Sequence, residues 1–480
     1  MNIRMVIYLL GCVLNVEGVA LLVPFVIGMI FGEKQAFSFL ITAGICFFVG
    51  ILLIIKKPKN TKIYAREGFV TVALSWIIMS AMGALPFVLN SDIPSYVSAF
   101  FETVSGFTTT GSTILTDIES LSHASLFWRA ETHWLGGLGI IVFLLGIVRL
   151  SGGYSMQLLK AESPGPSTDK FMPRLRYTSI ILYAIYTVLT GIEFVLLMIF
   201  KMPWFDAITT AFATAGTGGF SVKNASIAAY GSPGVEIIIT VFMVLFGINF
   251  AAYFLLIRGE FKAVLKNEEI RTFLIIIVVS ASLITLNIRN IYPGIGEAIR
   301  HSFFSVGSII STTGFITQDF DLWPTFSKMI LVILMFIGAC AGSTGGGMKV
   351  SRIIVLFKAG VKEIQHLIHP KSITTIKLDG KKVSSEMIKG ILAYFTVEMI
   401  VISVSTLIVS LNGFDTTTTV TSVITCIHNV GPGLNMVGPV GNFASFSVLS
   451  KIVLSFNMLV GRLEIMPMLI LFSPATWKRD

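Results

Sequence analysis

Four short, uncharged, glycine-bearing stretches recur along this 480-residue chain, each set between hydrophobic runs. They are Thr108-Thr109-Thr110-Gly111-Ser112-Thr113, Ala215-Gly216-Thr217-Gly218-Gly219-Phe220, Ser311-Thr312-Thr313-Gly314-Phe315 and Asn429-Val430-Gly431-Pro432-Gly433. With Gly111, Gly218, Gly314 and Gly431 as reference positions, the interval is roughly 100 residues, and self-similarity at a near-constant interval marks an internal repeat. Each stretch lies where a chain would dip into a membrane and return. Irregular backbone at that depth is tolerated only inside protein or beside water.

Composition supports the membrane reading. Hydrophobic residues make up 54% of the chain, charged residues 13%, and mean hydropathy is +0.84. A soluble protein carries about 25% charged residues. About ten spans of membrane-crossing length are expected, near 5–31, 38–55, 69–90, 125–149, 178–200, 235–257, 272–289, 327–357, 390–411 and 446–472. The first run is too long for the apolar core of a signal peptide and is read as a retained span.

A net charge of +9 could suggest nucleic acid. The basic residues cluster instead in short segments after alternate spans, as the positive-inside rule requires of cytoplasmic loops. These are Lys56 to Arg66, Lys160 to Arg176, Arg258 to Arg271, Lys358 to Lys389, and Lys478 with Arg479. Both termini are then cytoplasmic.

The remaining connections, 91–124, 201–234, 290–326 and 412–445, each hold a short apolar run, a glycine stretch and a polar tail. An apolar run of that length suits a re-entrant segment. The expected fold is therefore an all-α polytopic membrane protein: four helix–pore-loop–helix repeats around a pseudo-fourfold pore, plus two N-terminal transmembrane helices. The expected divisions are 1–66 for the extension, then repeats at 67–165, 166–265, 266–385 and 386–480.

An ion sheds water to cross hydrocarbon, and backbone carbonyls replace that water without fixed charge. Glycine supplies the dihedral freedom, and threonine favours an extended backbone. The candidate cation ligands are Thr109, Thr110, Gly111, Thr217, Gly218, Thr312, Thr313, Gly314, Asn429, Val430 and Gly431. Pore helices ending toward the centre add partial negative charge. Asp206 and Asp415 are expected as N-caps of pore helices or as carboxylates enriching cations at the outer mouth.

A fifth glycine-rich segment, Gly342-Ser343-Thr344-Gly345-Gly346-Gly347-Met348-Lys349, interrupts the 327–357 span. Walker spacing is absent and no strand precedes it, so a flexible intramembrane loop that gates the pore is expected, with a packing kink as the alternative. Arg462, expected well inside the last span, is either a barrier to cations or the partner of Glu464 or Glu398. Glu193 and Glu398 are expected in interhelical hydrogen bonds. Asn249 and Asn457 are pore lining or interhelical glue.

Residues 373–383 read as a small hairpin turning at Asp379-Gly380, a docking point or a solvated connector. Cys12, Cys46, Cys340 and Cys426 form no CxxC pair and read as buried free thiols. His366 and His369 fall in a loop, and Glu131 with His133 lacks metalloprotease spacing. No enzyme constellation is present. A secondary cation-coupled symporter is the alternative to a channel, but it calls for paired broken helices in inverted halves.

Thr108 to Leu115, His133-Trp134-Leu135-Gly136-Gly137-Leu138-Gly139, Thr217-Gly218-Gly219-Phe220, Thr312-Thr313-Gly314-Phe315, Gly342 to Lys349 and Asn429 to Gly433 together resemble the Trk/Ktr/HKT superfamily of potassium transporters. Order and length look closest to its bacterial TrkH branch, over essentially the whole chain. The resemblance implies potassium uptake across the bacterial inner membrane, a homodimer with one pore per protomer, and a cytosolic nucleotide-binding ring, TrkA, as regulator. It implies K+ as the bound, transported ion and no organic cofactor. It equates the family's filter glycines with Gly111, Gly218, Gly314 and Gly431, its gating loop with Gly342 through Lys349, and its inner-helix arginine with Arg462. Val430 before Gly431 departs from the family's Thr-Gly pattern.

Overall fold

The computed structural model describes residues 1–60, 63–137, 139, 175–371 and 375–477. Lys62, Lys160, Lys170, Arg174, Lys478 and Arg479 lie outside these, as do Leu138, Ile373, Thr374 and the second half of the expected 125–149 span.

Helices dominate. The first span is α1 (Ile3–Ala20) and α2 (Leu22–Ile30). Pro24 explains the break, because it has no N–H to offer the Ala20 carbonyl and its ring crowds that group. Then follow α3 (Ala36–Ile54), α4 (Ala65–Gly83) and α5 (Leu85–Leu89). Pro86 separates α4 from α5 in the same way, and the Trp128 indole N–H donates to the Gly83 carbonyl at that break (3.0 Å).

The glycine stretches follow four shorter helices. These are α6 (Tyr96–Phe107), before α7 (His123–Gly137); α9 (Trp204–Gly216), between α8 (Leu175–Ile199) and α10 (Pro233–Gly247); and two more further on. After α10 come α11 (Phe250–Ile257), α12 (Phe261–Leu265) and α13 (Glu268–Ile288). The third short helix is α14 (Ile295–Ile310), followed by α15 (Thr325–Ile337) and α16 (Val350–Ile368). The fourth is α18 (Thr416–Ile427), between α17 (Ser385–Val409) and α19 (Val448–Arg462).

Among the described residues six helices are long and apolar enough to cross a membrane, or seven if α10 and α11 count as one span. Their outward faces carry exposed apolar side chains such as Phe48, Val188, Ile275 and Leu407, as contact with lipid requires. Aromatic residues fill the interior, and Trp76, Trp128, Phe101 and Phe107 pack the N-terminal helices against the first and fourth short-helix units.

Three expected spans differ. The 235–257 run is not one helix, since α10 and α11 meet at 92°. The 327–357 run breaks between α15 and α16, as its glycines require. The 446–472 run ends at Arg462, after which Glu464 and Ile465 take positive φ. Arg462 therefore stands in the last turn of α19, not well inside a longer helix.

The hairpin forms where expected, with β1 (Lys377–Leu378) antiparallel to β2 (Lys381–Lys382). Its strands and turn are largely exposed, but its base is anchored. Ile376 and Val383 are buried with Val355 of α16 and Ile391 of α17. Its turn residue Asp379 accepts from the Glu268 N–H (2.6 Å) and from Asn267 Nδ2 (3.0 Å) at the start of α13. Lys358 of α16 reaches both Glu268 and the Lys377 carbonyl. The connector thus ties α16 to α13. We expect Asp379→Ala to cost about 1 kcal/mol locally, as for an exposed charge-assisted contact, read as several-fold faster amide exchange at 267–270; unchanged exchange would contradict the tie.

Candidate functional site

Each short helix ends on a residue forced into the left-handed region. These are Thr109 (φ 53°), Thr217 (55°), Thr312 (61°) and Asn429 (55°). Two residues later stands a positive-φ glycine: Gly111 (80°), Gly219 (78°), Gly314 (82°) and Gly431 (100°). The backbone pattern is the same four times, although the side chains differ. It also shifts one expectation: in the second stretch Gly219, not Gly218, occupies the glycine position. Gly218 is the residue between, matching Thr110, Thr313 and Val430.

The four stretches meet. A Cβ added at Gly111 would fall on the Gly218 carbonyl oxygen, at Gly219 on that of Thr313, at Gly314 on that of Val430, and at Gly431 on that of Thr110, each closer than 3.0 Å. The order first–second–third–fourth–first closes on itself. The same four positive-φ glycines line one cavity of about 160 Å3.

The tails beyond the glycines are stitched in the same order. The Asn224 N–H donates to Glu119 Oε1 (3.1 Å), that of Ala228 to the Ile316 carbonyl (3.2 Å), that of Asn435 to Asp321 Oδ2 (2.5 Å), and that of Phe443 to the Thr113 carbonyl (2.8 Å). Asp415 caps α18 as expected, accepting from the Thr418 N–H (2.9 Å) and holding Asn435 Nδ2 (3.1 Å). Asp206 is not a cap. Pro203 holds that place, and Asp206 sits in the first turn of α9, accepting from the Tyr230 hydroxyl (2.8 Å).

His133 backs the second stretch. Its Nδ1 lies 2.7 Å from the Gly106 carbonyl, and its Nε2 lies 3.2 Å from the Phe220 N–H. Nδ1–H donating and Nε2 accepting is the assignment that satisfies both contacts. The ring covers Gly218 so closely that a Cβ there would strike it. The sequence offered a signal in the small residues after His133, but nothing that fixed its partner.

The Gly342–Lys349 segment lies against the α10–α11 break. The Cys340 N–H donates to the Gly247 carbonyl (3.0 Å), and the Phe250 N–H to that of Gly342 (3.0 Å). Asn249 caps α11 through the Ala251 N–H (2.8 Å), and its side chain lies beside Gly342. The Gly346 N–H donates to Thr312 Oγ1 (2.6 Å). A Cβ at Gly345 would lie 2.8 Å from the Ser311 carbonyl oxygen, and one at Gly346 2.5 Å from that of His428. The loop therefore presses on the third and fourth stretches. Glu269 of α13 holds its two ends, accepting from the Ala341 (2.7 Å) and Ser351 (3.1 Å) N–H groups. Lys349 folds back to the Gly345 carbonyl.

Arg462 donates to the Thr344 carbonyl (2.8 Å) and to those of Gly136 and Gly137. It joins the loop to the end of α7. Glu464 pairs with Arg352. Glu398 lies 3.7 Å from His428 at the end of α18, and Glu193 of α8 faces Thr214 of α9. Asn457 accepts from Ser405 of α17 (2.9 Å), which makes it interhelical glue. All four cysteines are free, Cys12 half-buried and the others buried.

The four glycine-bearing turns thus form a closed ring inside a bundle of apolar helices. Residues 35–479 match the TrkH family of cation transport proteins. The chain belongs to that family. It is 36% identical over 485 residues to the Trk system potassium uptake protein TrkH of Salmonella typhimurium and to that of Escherichia coli K12, with 100% of each chain covered. The crystal structure of the potassium transporter TrkH from Vibrio parahaemolyticus covers 100% of both chains at 32% identity and a TM-score of 0.89. This TrkH-family chain is a multi-pass membrane transporter and not an enzyme.

The Asp415 cap yields a pH prediction. Hydrogen bonds from Thr418 hold its carboxyl below the usual carboxylate range. Capping is then present above that range and is lost only as pH falls through the lowered value. Asp415→Ala should cost about 1 kcal/mol, seen as faster normalised amide exchange at Thr418 and Thr419. In the parent, protection that disappears already above pH 5 would count against the cap.

Proposed function

We propose that this chain is a potassium-selective pore of the bacterial inner membrane, built from four helix–loop–helix repeats about a pseudo-fourfold axis, with the divisions at 66, 165, 265 and 385. The observation that carries this reading is the closed order in which each positive-φ glycine faces the next stretch's carbonyl. K+ is taken by oxygens of Thr109, Thr110, Gly111, Thr217, Gly218, Thr312, Thr313, Gly314, Asn429, Val430 and Gly431. The main chain offers these oxygens without net charge, so the ion binds and still leaves. The four short helices end at the stretches, and each contributes roughly half a negative charge there.

The Gly342–Lys349 loop is the gate. Its glycines let backbone lie directly against the filter stretches, and Glu269 and Arg462 hold it shut. The two N-terminal helices stand outside the repeats. Both termini are cytoplasmic, the protein works as a homodimer, and a TrkA-like nucleotide-binding ring acts on the gate from the cytosol through α16 and the hairpin.

Rubidium uptake into liposomes, with K+ and Na+ as competitors, tests the whole reading. Gly111→Ser should lower K+-over-Na+ preference roughly tenfold, about 1.4 kcal/mol; an unchanged preference would sink the filter assignment. Deleting Gly345 to Gly347 should raise basal flux. Glu269→Ala should do the same, with Glu269→Gln milder because the amide oxygen still accepts. Normal flux from a folded deletion variant would leave the loop a packing kink. Strict stoichiometric coupling to a second ion would favour a symporter instead.

A further inference from the structure

Arg129 and Glu102 form an ion pair buried beside the first two glycine stretches, 2% and 1% exposed. Arg129 Nε and Nη2 both reach Glu102 Oε1, at 3.0 and 2.9 Å. The remaining contacts of the pair divide between the stretches. Glu102 accepts from Thr113 Oγ1 (2.9 Å) and from the Ile114 N–H (2.9 Å), both just past Gly111. Arg129 Nη1 donates to the Ser221 carbonyl (3.2 Å), just past Gly219, and its guanidinium lies 4.0 Å from the Phe220 ring centre. One half of the pair thus holds the first stretch and the other half the second.

This junction differs from two of its three counterparts; the third and fourth stretches, like the first and second, are joined through a side chain, Asp321. Direct backbone hydrogen bonds join the second stretch's tail to the third's, Ala228 to Ile316, and the fourth's to the first, Phe443 to Thr113. Among the described residues no backbone-to-backbone bond joins the first to the second. The guanidinium bridges the two close to the glycines, and Asn224 bridges them again farther out through Ile118, Asp117 and Glu119. A fork of fixed donors sets both spacing and orientation. The neighbouring Gly111 and Gly218 are the pair whose glycine and carbonyl must interlock.

We propose that Arg129 and Glu102 are positioning residues that set ion selectivity, by fixing the register of the first filter stretch against the second. This rests on the pore reading above. Neither side chain touches the ion.

The test is rubidium uptake by the full-length protein in liposomes, reading the ratio of Na+ to K+ needed for half-inhibition. Thr113→Val removes the hydroxyl that Glu102 and Arg129 share, and Arg129→Lys keeps the charge but loses the fork. Both should lower K+-over-Na+ preference several-fold, while the protein elutes from detergent as the parent does. The neutral pair Glu102→Gln with Arg129→Gln should lower it further. Should Arg129→Lys fail to fold, Thr113→Val decides, since it leaves the ion pair intact. Unchanged preference in the folded variants, with Gly111→Ser still lowering it, overturns the clamp. Unchanged preference in Gly111→Ser as well overturns the filter and the clamp with it.

Discussion

Each positive-φ glycine of the ring leaves open the space that the neighbouring stretch's carbonyl oxygen fills. A side chain at any of the four positions would displace that oxygen, and the left-handed backbone adds strain for every other residue. Much of the surrounding architecture holds this interlock. Short helices deliver the stretches, their tails are tied in the same cyclic order, and a histidine and an ion pair brace the first two from behind. The small set of contacts at the centre dictates close backbone approach, which is why glycine rather than any shared side chain is what the four stretches have in common.

The second constraint is hydrogen-bond satisfaction in an apolar setting. Two helical runs break inside the bundle, α10 at Gly247 and the run after α15 at Gly338. Each break frees peptide groups, and an unpaired one there costs several kcal/mol, roughly. The chain places the breaks together, so that the loop's N–H and C=O groups meet those of the bent helix. Glu269 and Arg462 satisfy much of what remains, one as acceptor and the other as donor.

Much of this was legible in the sequence. Apolar runs located the long helices, and the glycine stretches located the four turns. The Gly345-Gly346-Gly347 run located the break between α15 and α16. What was hidden depends on partners distant in the chain. Gly218 and Gly219 are chemically alike, and only φ tells which of them holds the glycine position. The bend in 233–257 has only Gly247 and the capping Asn249 to mark it locally. Its freed peptide groups are taken up by Cys340 and Gly342, nearly a hundred residues away. Arg129, Glu102 and Glu269 carry no local signal, because nothing nearby in the sequence says that Ser221, Ile114 or Ala341 will arrive beside them. Asp206 misled for a simpler reason, since Pro203 starts its helix earlier.

The shared hydrogen bonds between the loop and the bent helix have a further consequence. Were the loop to swing aside, the Gly247 carbonyl and the Phe250 N–H would lose their present partners at a depth where lipid offers none. Solvent must then reach that level in the same movement. On the pore reading proposed above, the conducting form would be a hydrated one, with wetting of the passage accompanying departure of the loop.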